Sequence, residues 1–574
     1  MGNLQEYLNE KIGIVQSVDT KKVSISVEKE DILNKLKIND IVILSGNNAN
    51  EKLIGIVTKV SKKKIDYDNV IDELDEEIEY SYNFCNVTLV GTFYNKFSIS
   101  KKNVFKRAVN TYPEINSEVY LANGEALTMV MNSFECETTL EKKLIIGKYA
   151  SNKSVQAILD GNKFFQRHAL IVGSTGSGKS CTVASILEKA NNLEHSNLIV
   201  FDLHGEYTKL SYVKHLKIAD SENGLHIPLW FFNYEEIHSL FIESSEGVST
   251  NQRAAVIKYI LEEKKKYIKD NIKNFSQDIV TVDIPIPFSA KELKNYLEKE
   301  DTKEEATGER YKSGEKAGQE KLKQGQYYGK LTNLITRLQT KIDDKKYSFV
   351  FNEKDTIKLE YLNKFMEEIM GNTNKIKVID LSEIPSDMLS VIIGILTRLI
   401  YDTQFWMTPK KNEVRHPLAF ICDEAHLYMP RDISKLKAVE SRALEIFERI
   451  SKEGRKYGVS LVIISQRPAE LNSTIISQCN NLISLKITND RDKAAVATML
   501  TDSLIDLVET LPNLDVGECI VIGDSIKLPT KIILDKPKEE PQSSTIDFWD
   551  RWLDGKNTIF DIDSAIQNLL KQSR

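Results

Sequence analysis

The chain has 574 residues, and length alone predicts about three or four domains. Hydrophobic residues make up 41% and charged residues 28%, so most of the chain can bury a core. The formal net charge of -6 excludes a generally basic protein that coats nucleic acid, although it leaves room for a local basic channel.

The cysteines and the N-terminal sequence bear on the compartment. Six scattered cysteines form neither a CxxC pair nor a Cys/His cluster, which predicts reduced thiols and no zinc site. The opening stretch "MGNLQEYLNEKIG" lacks an apolar signal core. We therefore expect a cytoplasmic protein.

Residues 1–145 are predicted to be all-β and to form a small barrel or sandwich. Short runs such as "KVSISVEK" and "NVTLVGTFY" are rich in Val, Ile and Thr, and turn residues separate them. The tetrapeptide "IGIV" occurs at 12–15 and again at 54–57. Two similar strands of one barrel would explain the repeat, and so would chance. No catalytic constellation is visible in this block.

A doubly wound α/β core is predicted for residues 146–210 and 376–534. Buried parallel strands read as continuous apolar runs, because helices cover both faces of the sheet. Four such runs are "HALIVG", "NLIVFDL", "PLAFICDEA" and "VSLVIISQ". The helical spacing of "KSCTVASILEKANN" after the first run completes the pattern.

Residues 211–375 are predicted to form a helical insertion, and residues 535–574 a linker with a docking tail. The stretch 297–326 is charged and poor in apolar residues, which predicts a mobile or solvated middle of the insertion. Two tryptophans follow the polar linker "DKPKEEPQSS". They indicate a segment that docks either on its own core or on a neighbour.

The most apolar helical candidate is "MLSVIIGILTRLIY", residues 388–401. Arg398 interrupts this run, and 14 residues are too few to span a bilayer. We expect a buried core helix and no membrane association.

The stretch "IVGSTGSGKSC", residues 171–181, carries a phosphate-binding P-loop motif. The pattern G-x-x-x-x-G-K-[ST] is matched by Gly173, Gly178, Lys179 and Ser180. The loop lies between an apolar run and a helical one, which is the context that this motif requires. Its backbone N–H groups and the following helix N-terminus would hold phosphate oxygens. Lys179 is expected to reach the β and γ phosphates, and Ser180 to bind Mg²⁺.

The run "LAFICDEAHLY" places an acid pair at the carboxyl end of a predicted buried strand, the edge where an open α/β sheet binds ligands. Asp423 is expected to hold Mg²⁺ through water. Glu424 is expected to polarise the attacking water as a general base. The alternative is that the two acidic residues form an ordinary turn at the end of the strand and have no catalytic role.

A third strand, in "VSLVIISQRPAELN", ends in Ser465 and Gln466 before Pro468. An amide that faces the γ-phosphate from a strand end can report hydrolysis to the next loop. Ordinary turn chemistry before a proline explains the same residues equally well.

Five motifs in order resemble the HerA branch of the HerA–FtsK DNA translocases. They are "RHALIVGSTGSGKS", "VFDLHGEY", "FICDEAHLY", "ISKEGRKYGVSLVIISQRP" and "QCNNLISLKITNDRD", and they cover roughly 165–235 and 375–530. The resemblance implies a RecA-like P-loop ATPase core. It also implies that the β-rich N-terminal block is a HAS-barrel and that the insertion is the helical bundle of that family.

The resemblance also implies roles for single residues. Asp423 and Glu424 would be the Walker B pair, and Gln466 the sensor. Arg449 or Arg455 would be an arginine finger for the ATP of a neighbouring subunit, although both could instead decorate a helix face beside Glu448 and Glu453. The implied nucleotide-binding residues are Gly173, Ser174, Thr175, Gly176, Ser177, Gly178, Lys179, Ser180, Cys181 and Arg167.

The segment "DLHGEY" follows the second predicted core strand. The resemblance makes Asp202 and Glu206 active-site candidates, through Mg²⁺ or through coupling to a DNA loop. His204 has no metal-ligand spacing and is interpreted as a turn residue.

The implied activity is a homohexameric ring that hydrolyses ATP with Mg²⁺ and pumps double-stranded DNA through its centre. Arg431, Lys435 and Lys437 are candidate pore residues, and a solvated face is an equally good interpretation of them. No base-reading motif is visible, so phosphate contacts are expected.

The resemblance further implies a partner effector, a nuclease or a sirtuin-like NADase, docked through the N-terminal barrel. Antiphage defence and DNA end processing are both compatible with the sequence, and the added length and charged insertion favour defence. The main alternative is an ATP-regulated ring scaffold that assembles and activates an effector without processive translocation. Conjugative coupling or DNA packaging is a weaker alternative.

Overall fold

The computed structural model describes residues 4–20, 22–46, 48, 50–64, 81–97, 102–134, 143–219, 224–242, 246–273, 275–312, 318–436, 438–500, 502–543, 548–554 and 561–571. The chain divides into two compact units. The first comprises Met1–Glu194, Glu424–His426 and Ser460–Pro541, and the second comprises His195–Asp423, Leu427–Val459 and Gln542–Arg574.

The secondary structure of the described residues is mixed α/β. The strands are β1 (Lys11–Val18), β2 (Val23–Val27), β3 (Ile41–Ser45), β4 (Glu51–Lys64), β5 (Ser81–Phe97), β6 (Lys102–Lys106), β7 (Glu118–Leu121), β8 (Lys143–Tyr149), β9 (Gln156–Asp160), β10 (Ala169–Val172), β11 (Leu198–Asp202), β12 (Lys214–Lys217), β13 (Glu304–Arg310), β14 (Glu320–Gln324), β15 (Ile376–Asp380), β16 (Leu418–Cys422), β17 (Val459–Ser465), β18 (Asn481–Ser484), β19 (Glu518–Gly523) and β20 (Thr530–Leu534). The α-helices are α1 (Glu30–Lys35), α2 (Gly124–Phe134), α3 (Gly161–Gln166), α4 (Lys179–Asn191), α5 (Tyr234–Phe241), α6 (Glu246–Asn271), α7 (Ala290–Asp301), α8 (Thr332–Asp343), α9 (Ser348–Phe351), α10 (Leu359–Met370), α11 (Ser386–Trp406), α12 (Ala438–Glu453), α13 (Ser473–Gln478), α14 (Asp490–Ala497), α15 (Phe548–Asp554) and α16 (Ile562–Lys571).

The N-terminal part of the first unit is a closed antiparallel barrel, as the sequence predicts. Its strand order is β2-β1-β7-β3-β4-β5, and pairing of β5 with β2 closes the ring, while β6 extends β5. Val15, Ile25 and Val57 fill the interior with no exposed area. Closure removes the free strand edges that would otherwise invite association.

The predicted domain boundary at residue 145 falls inside β8. This strand does not belong to the barrel, because it pairs with β20 and with β9. The two IGIV repeats lie in β1 and β4, which are not neighbours in the barrel.

The same unit carries the sheet from which the P-loop emerges. Its strand order is β17-β10-β18-β19-β20-β8-β9. Strand β10 pairs in parallel with β17 and β18, and the strands from β18 onward pair antiparallel. All four residues of β10 are fully buried, as expected of an apolar strand at the centre of a covered sheet.

The second unit contains parallel strands in the order β12-β15-β11-β16. Each residue of β11, β15 and β16 is buried. The fold is therefore the predicted α/β class, with a RecA-like P-loop ATPase core, a helical insertion and a preceding all-β domain.

The insertion contains helices α5 to α10 and three strands that sequence analysis did not predict. Strand β12 pairs with β15, so the core sheet extends past the predicted boundary at residue 210. Strands β13 and β14 form an antiparallel hairpin in the charged stretch that was expected to be a mobile or solvated segment. Its residues are mostly exposed, and ion pairs such as Lys321–Glu309 (3.0 Å) join the strands. Cross-strand charge pairing explains a hairpin where apolar content is too low to signal one.

Helix α11 is longer than the 14 residues that sequence analysis proposed. Its 21 residues are long and apolar enough to cross a membrane, so the argument from length was wrong. However, 67% of its most apolar window is buried inside the protein, as in the core helix of a globular unit. Arg398 is part of that core: its guanidinium donates to both carboxylate oxygens of Glu236 (3.0 and 2.8 Å) and to the Phe231 carbonyl (2.8 Å).

Replacing Arg398 with methionine is expected to destabilise the protein by about 3–5 kcal/mol, because the carboxylate of Glu236 stays buried without its partner. The Glu236 side chain is only 8% exposed. The measurement is equilibrium urea unfolding of the wild type, Arg398→Met and the double variant Arg398→Met with Glu236→Gln. The double variant should recover most of the loss, and a double variant as unstable as the single one would contradict a charge effect.

The C-terminal tail ends in helices α15 and α16, which are exposed along their described lengths. Trp549 and Trp552 are 72% and 73% exposed. Of the two predicted alternatives, docking of these tryptophans on the chain's own core is therefore not seen in the part of the tail that the structure describes.

Candidate active site

The P-loop connects β10 to α4 in a conformation that its glycines make possible. Gly176 and Gly178 have φ of +75° and +103°, values that side-chain-bearing residues avoid. A Cβ atom on Gly173 would lie 2.5 Å from Ser177 Oγ and 2.8 Å from Leu485 Cβ, so the loop also closes too tightly for a side chain there. The backbone conformation of the loop therefore explains why the motif has glycine at these positions.

Lys179 begins α4 and turns back over the loop. Its ammonium donates to the carbonyl oxygens of Gly173 (2.9 Å) and Ser174 (3.2 Å), and the residue is 9% exposed. A cation held over a concave loop, at a helix N-terminus, fits the triphosphate of a nucleotide. Ser180 and Cys181 follow in the first turn of the same helix and are partly buried.

Gln466 lies beside the P-loop because of strand register. Val172 and Ser465 are paired residues at the carboxyl ends of β10 and β17, so the residues that follow them leave the sheet together. Thr175 Oγ1 donates to Gln466 Oε1 at 2.7 Å. The structure therefore brings the predicted sensor into direct contact with the phosphate-binding loop.

Glu424 has an unusual backbone. Its φ of +41° is in the left-handed region, which costs a residue with a side chain about 1–3 kcal/mol and is often found at functional sites. The side chain is 13% exposed, and one carboxylate oxygen lies 3.3 Å from His426 Nδ1. A strained, largely buried carboxylate in the same unit as the P-loop fits the general base that the sequence predicted.

Asp423 belongs to the second unit and is 5% exposed. Its backbone carbonyl accepts a hydrogen bond from the Tyr428 hydroxyl at 2.9 Å. The magnesium assignment to Ser180 and Asp423 stays a prediction. Among the described residues, no group of three His, Cys, Asp or Glu side chains has a metal-binding arrangement.

His426 is the site residue that sequence analysis missed. Its side chain is 7% exposed, and Nδ1 lies 3.3 Å from both Glu424 Oε2 and Ser465 Oγ. Burial lowers the pKa of His426, and the nearby charges of Arg467 and Lys179 lower it further, whereas Glu424 raises it. The position of this histidine two residues after the predicted base is the one signal that could have found it.

The carboxylate of Asp202 stabilises the loop that follows β11. The carboxylate is fully buried and accepts hydrogen bonds from the backbone N–H groups of His204 (3.3 Å), Glu206 (3.0 Å) and Tyr207 (2.8 Å). The pKa of Asp202 is raised above its usual value because the carboxylate is buried, although these three hydrogen bonds offset part of the effect. Its oxygens shape the turn after β11, which is a structural role that the strand-end position alone did not reveal.

Arg167 is not brought to the P-loop of its own chain. It follows α3 and precedes β10, whereas the P-loop follows β10, so the length of the strand separates the two. The guanidinium pairs with Asp524. The nucleotide-binding role of Arg167 stays a prediction.

The two candidate arginine fingers differ in their surroundings within the second unit. Arg449 stacks over the rings of Tyr401 (5.0 Å) and Phe405 (5.5 Å) and lies 3.9 Å from carboxylate oxygens of Asp402 and Glu453. Arg455 is exposed in the turn after α12. Among the described residues, no side-chain hydrogen bond or ion pair is found for Arg455.

The candidate pore residues stay untested. Arg431 is exposed, and Lys435 ends a short 3₁₀ turn. Lys437 lies outside the described residues.

Comparison with known proteins identifies the central part of the chain. Residues 144–400 match a family model described as the central domain of helicase HerA. A DNA double-strand break repair helicase HerA from Sulfolobus acidocaldarius is 28% identical over 442 residues, covering 77% of each chain. A protein of the same name from Sulfurisphaera tokodaii is 24% identical over 556 residues, covering 95% of this chain and 97% of that one. Among solved structures, VirB4 of Thermoanaerobacter pseudethanolicus matches with a TM-score of 0.42 and 14% identity, covering 70% of this chain and 97% of that one.

Proposed function

Because the chain belongs to the HerA helicase family and is an ATP-hydrolysing enzyme, we propose that it is a motor that moves double-stranded DNA through a homohexameric ring. The relatives named as DNA double-strand break repair helicases support DNA as the substrate on which the motor acts. The acidic net charge implies that the basic residues that grip DNA are concentrated in one place.

The observation that carries this proposal is the Thr175–Gln466 contact, which joins the P-loop to a strand end 291 residues later in the chain. A motor needs such a link, since nucleotide state must reach the parts that move. Lys179 would hold the phosphates, and Gln466 would respond when the γ-phosphate leaves. Glu424 would take a proton from the attacking water.

Magnesium suits the two donors that the sequence predicts for it. Hydroxyl and carboxylate oxygens such as those of Ser180 and Asp423 are the ligands that this ion prefers. When bound, Mg²⁺ would neutralise charge on the phosphate oxygens during transfer. The protein's own residues orient the phosphates and the water around it.

Arg455 is the better candidate for the arginine finger. A finger must leave its own subunit and reach the nucleotide of a neighbour, and Arg455 is exposed at a turn. Arg449 would first have to leave two aromatic rings and two carboxylates.

The biological context of the proposed motor is antiphage defence or DNA end processing, together with an effector such as a nuclease or a sirtuin-like NADase. The closed N-terminal barrel is a compact module suited to docking such a partner. We place the protein in the cytoplasm. No disulfide joins the cysteines that the structure describes, and burial raises the pKa of Cys85 and of Cys479 to about 12, so these two thiols stay protonated.

The expected result is that linear duplex DNA raises the kcat of ATP hydrolysis by the purified full chain. The stimulation should fall as NaCl rises from about 50 to 200 mM, because phosphate contacts release counterions. Steady-state ATPase assays with linear duplex, single-stranded DNA of equal length and no DNA provide the measurement. Turnover that is the same in all three would favour the ATP-regulated scaffold, in which the ring assembles an effector without translocating. Repeating the assay with a co-purified effector would then test that alternative.

A further inference from the structure

His426 lies between the predicted general base and the strand end that carries the sensor. The structure places its Nδ1 atom 3.3 Å from Glu424 Oε2 and 3.3 Å from Ser465 Oγ. Ser465 is fully buried and His426 is 9% exposed, so water has little access to this junction.

The chemistry of the two neighbours determines which imidazole nitrogen carries the proton. A carboxylate oxygen and a hydroxyl oxygen can both accept from a ring N–H, so the tautomer with its proton on Nδ1 suits both neighbours. Ser465 Oγ already accepts the Arg467 backbone N–H at 3.0 Å and can accept from Nδ1 as well. The contact with Ser465 has hydrogen-bond geometry, whereas Nδ1 approaches Glu424 Oε2 closely without forming a hydrogen bond to it.

The turn from Ser465 to Arg467 is therefore attached at two points. Ser465 contacts His426, which contacts Glu424. The next residue, Gln466, contacts Thr175 of the P-loop. A movement of the His426 ring would therefore change the surroundings of the Glu424 carboxylate and the hydrogen bond to the turn together.

We propose that His426 is a positioning residue that orients the Glu424 carboxylate for water activation and couples that orientation to the turn from Ser465 to Arg467. The inference rests on the proposed role of Glu424 as the general base. A histidine that only filled space would need neither the Nδ1 contact with Glu424 nor the one with Ser465.

Three substitutions of His426 separate positioning from packing. Asparagine places an amide nitrogen the same number of bonds from Cα as Nδ1, whereas glutamine places it one bond farther, and alanine removes it. We expect His426→Ala and His426→Gln to lower kcat by about 10- to 100-fold, as when a group that orients a catalytic residue is lost. His426→Asn should recover most of the rate. The KM for ATP and the melting temperature should stay near the wild-type values, as in the control His204→Ala in an exposed turn.

Equal loss of activity in the asparagine and glutamine variants, together with a lower melting temperature, would overturn the proposal in favour of a structural role. A wild-type kcat in His426→Ala would overturn it as well. Both outcomes are measured without DNA, so they do not depend on whether the protein is a DNA motor.

Ser465→Ala tests the proposed coupling between His426 and the turn from Ser465 to Arg467. It removes the Ser465 hydroxyl and leaves the His426–Glu424 contact in place. If duplex DNA stimulates the wild type, this variant should lose most of that stimulation while its DNA-independent kcat falls less than that of His426→Ala. Full DNA stimulation in Ser465→Ala would contradict coupling through this contact. Absence of stimulation in the wild type would instead count against the proposed motor.

Discussion

Glu424→Gln is expected to lower the kcat of ATP hydrolysis by about 10²- to 10⁴-fold, the usual range for removing a general base. The amide has the size of the carboxylate and cannot take the proton of the attacking water. Since glutamine meets the same positive φ as Glu424, backbone strain should be unchanged. The affinity for ATP should also stay close to that of the wild type.

The measurement combines steady-state phosphate release with the binding of a fluorescent ATP analogue. Glu470→Gln is the matched control, because this carboxylate is 54% exposed and forms a surface pair with Arg467. The control should lose less than about twofold, in line with the small energies of surface ion pairs. A Glu424→Gln variant that hydrolyses ATP at the control's rate would remove Glu424 from the catalytic role.

Arg455→Ala is expected to slow hydrolysis by about 10³- to 10⁵-fold if Arg455 stabilises the transition state in a neighbouring subunit. Such a finger acts on charge that develops only during transfer, so nucleotide binding should change little. Arg449→Ala is the matched control and should lose far less activity, since Arg449 contacts the side chains of its own helix and of α11.

Mixing variants tests whether the arginine acts in trans. Arg455→Ala alone and Glu424→Gln alone should each turn over ATP only at the strongly reduced rates expected above. A mixed ring contains interfaces at which an intact Glu424 meets an intact Arg455, so the mixture should regain a substantial part of the wild-type rate. The same recovery with Arg449→Ala and none with Arg455→Ala would reverse the assignment. No recovery in either mixture would contradict a finger supplied by a neighbour.

Local sequence patterns were sufficient for the class of fold and for the position of the P-loop. Continuous apolar runs predicted buried parallel strands, and β10, β11, β16 and β17 confirm them. Turn-separated β-branched runs predicted the N-terminal barrel. In each case the signal is contained in a few consecutive residues, because side-chain periodicity reflects which faces of a strand are covered.

Structural features that depend on ion pairs between distant residues were not predicted. The β13–β14 hairpin has almost no apolar content, and the sequence did not reveal the ion pair that lets Arg398 lie in the correctly predicted buried helix. A charged residue can lie in a core when a partner meets it there, and the partner of Arg398 is 162 residues away in the chain. Nothing in the neighbourhood of either residue in the sequence reveals that pairing.

By itself, the sequence determined the P-loop, the acid pair after β16 and the α/β class of the protein, because spacing and backbone requirements are properties of a continuous segment. Only the tertiary structure decided that Gln466 meets Thr175, that His426 lies between Glu424 and Ser465, and that Arg167 is at the far end of β10. These relations depend on which strands are neighbours and in what register. The packing of distant segments decides which strands are neighbours and in what register, so the sequence of a single segment cannot predict it.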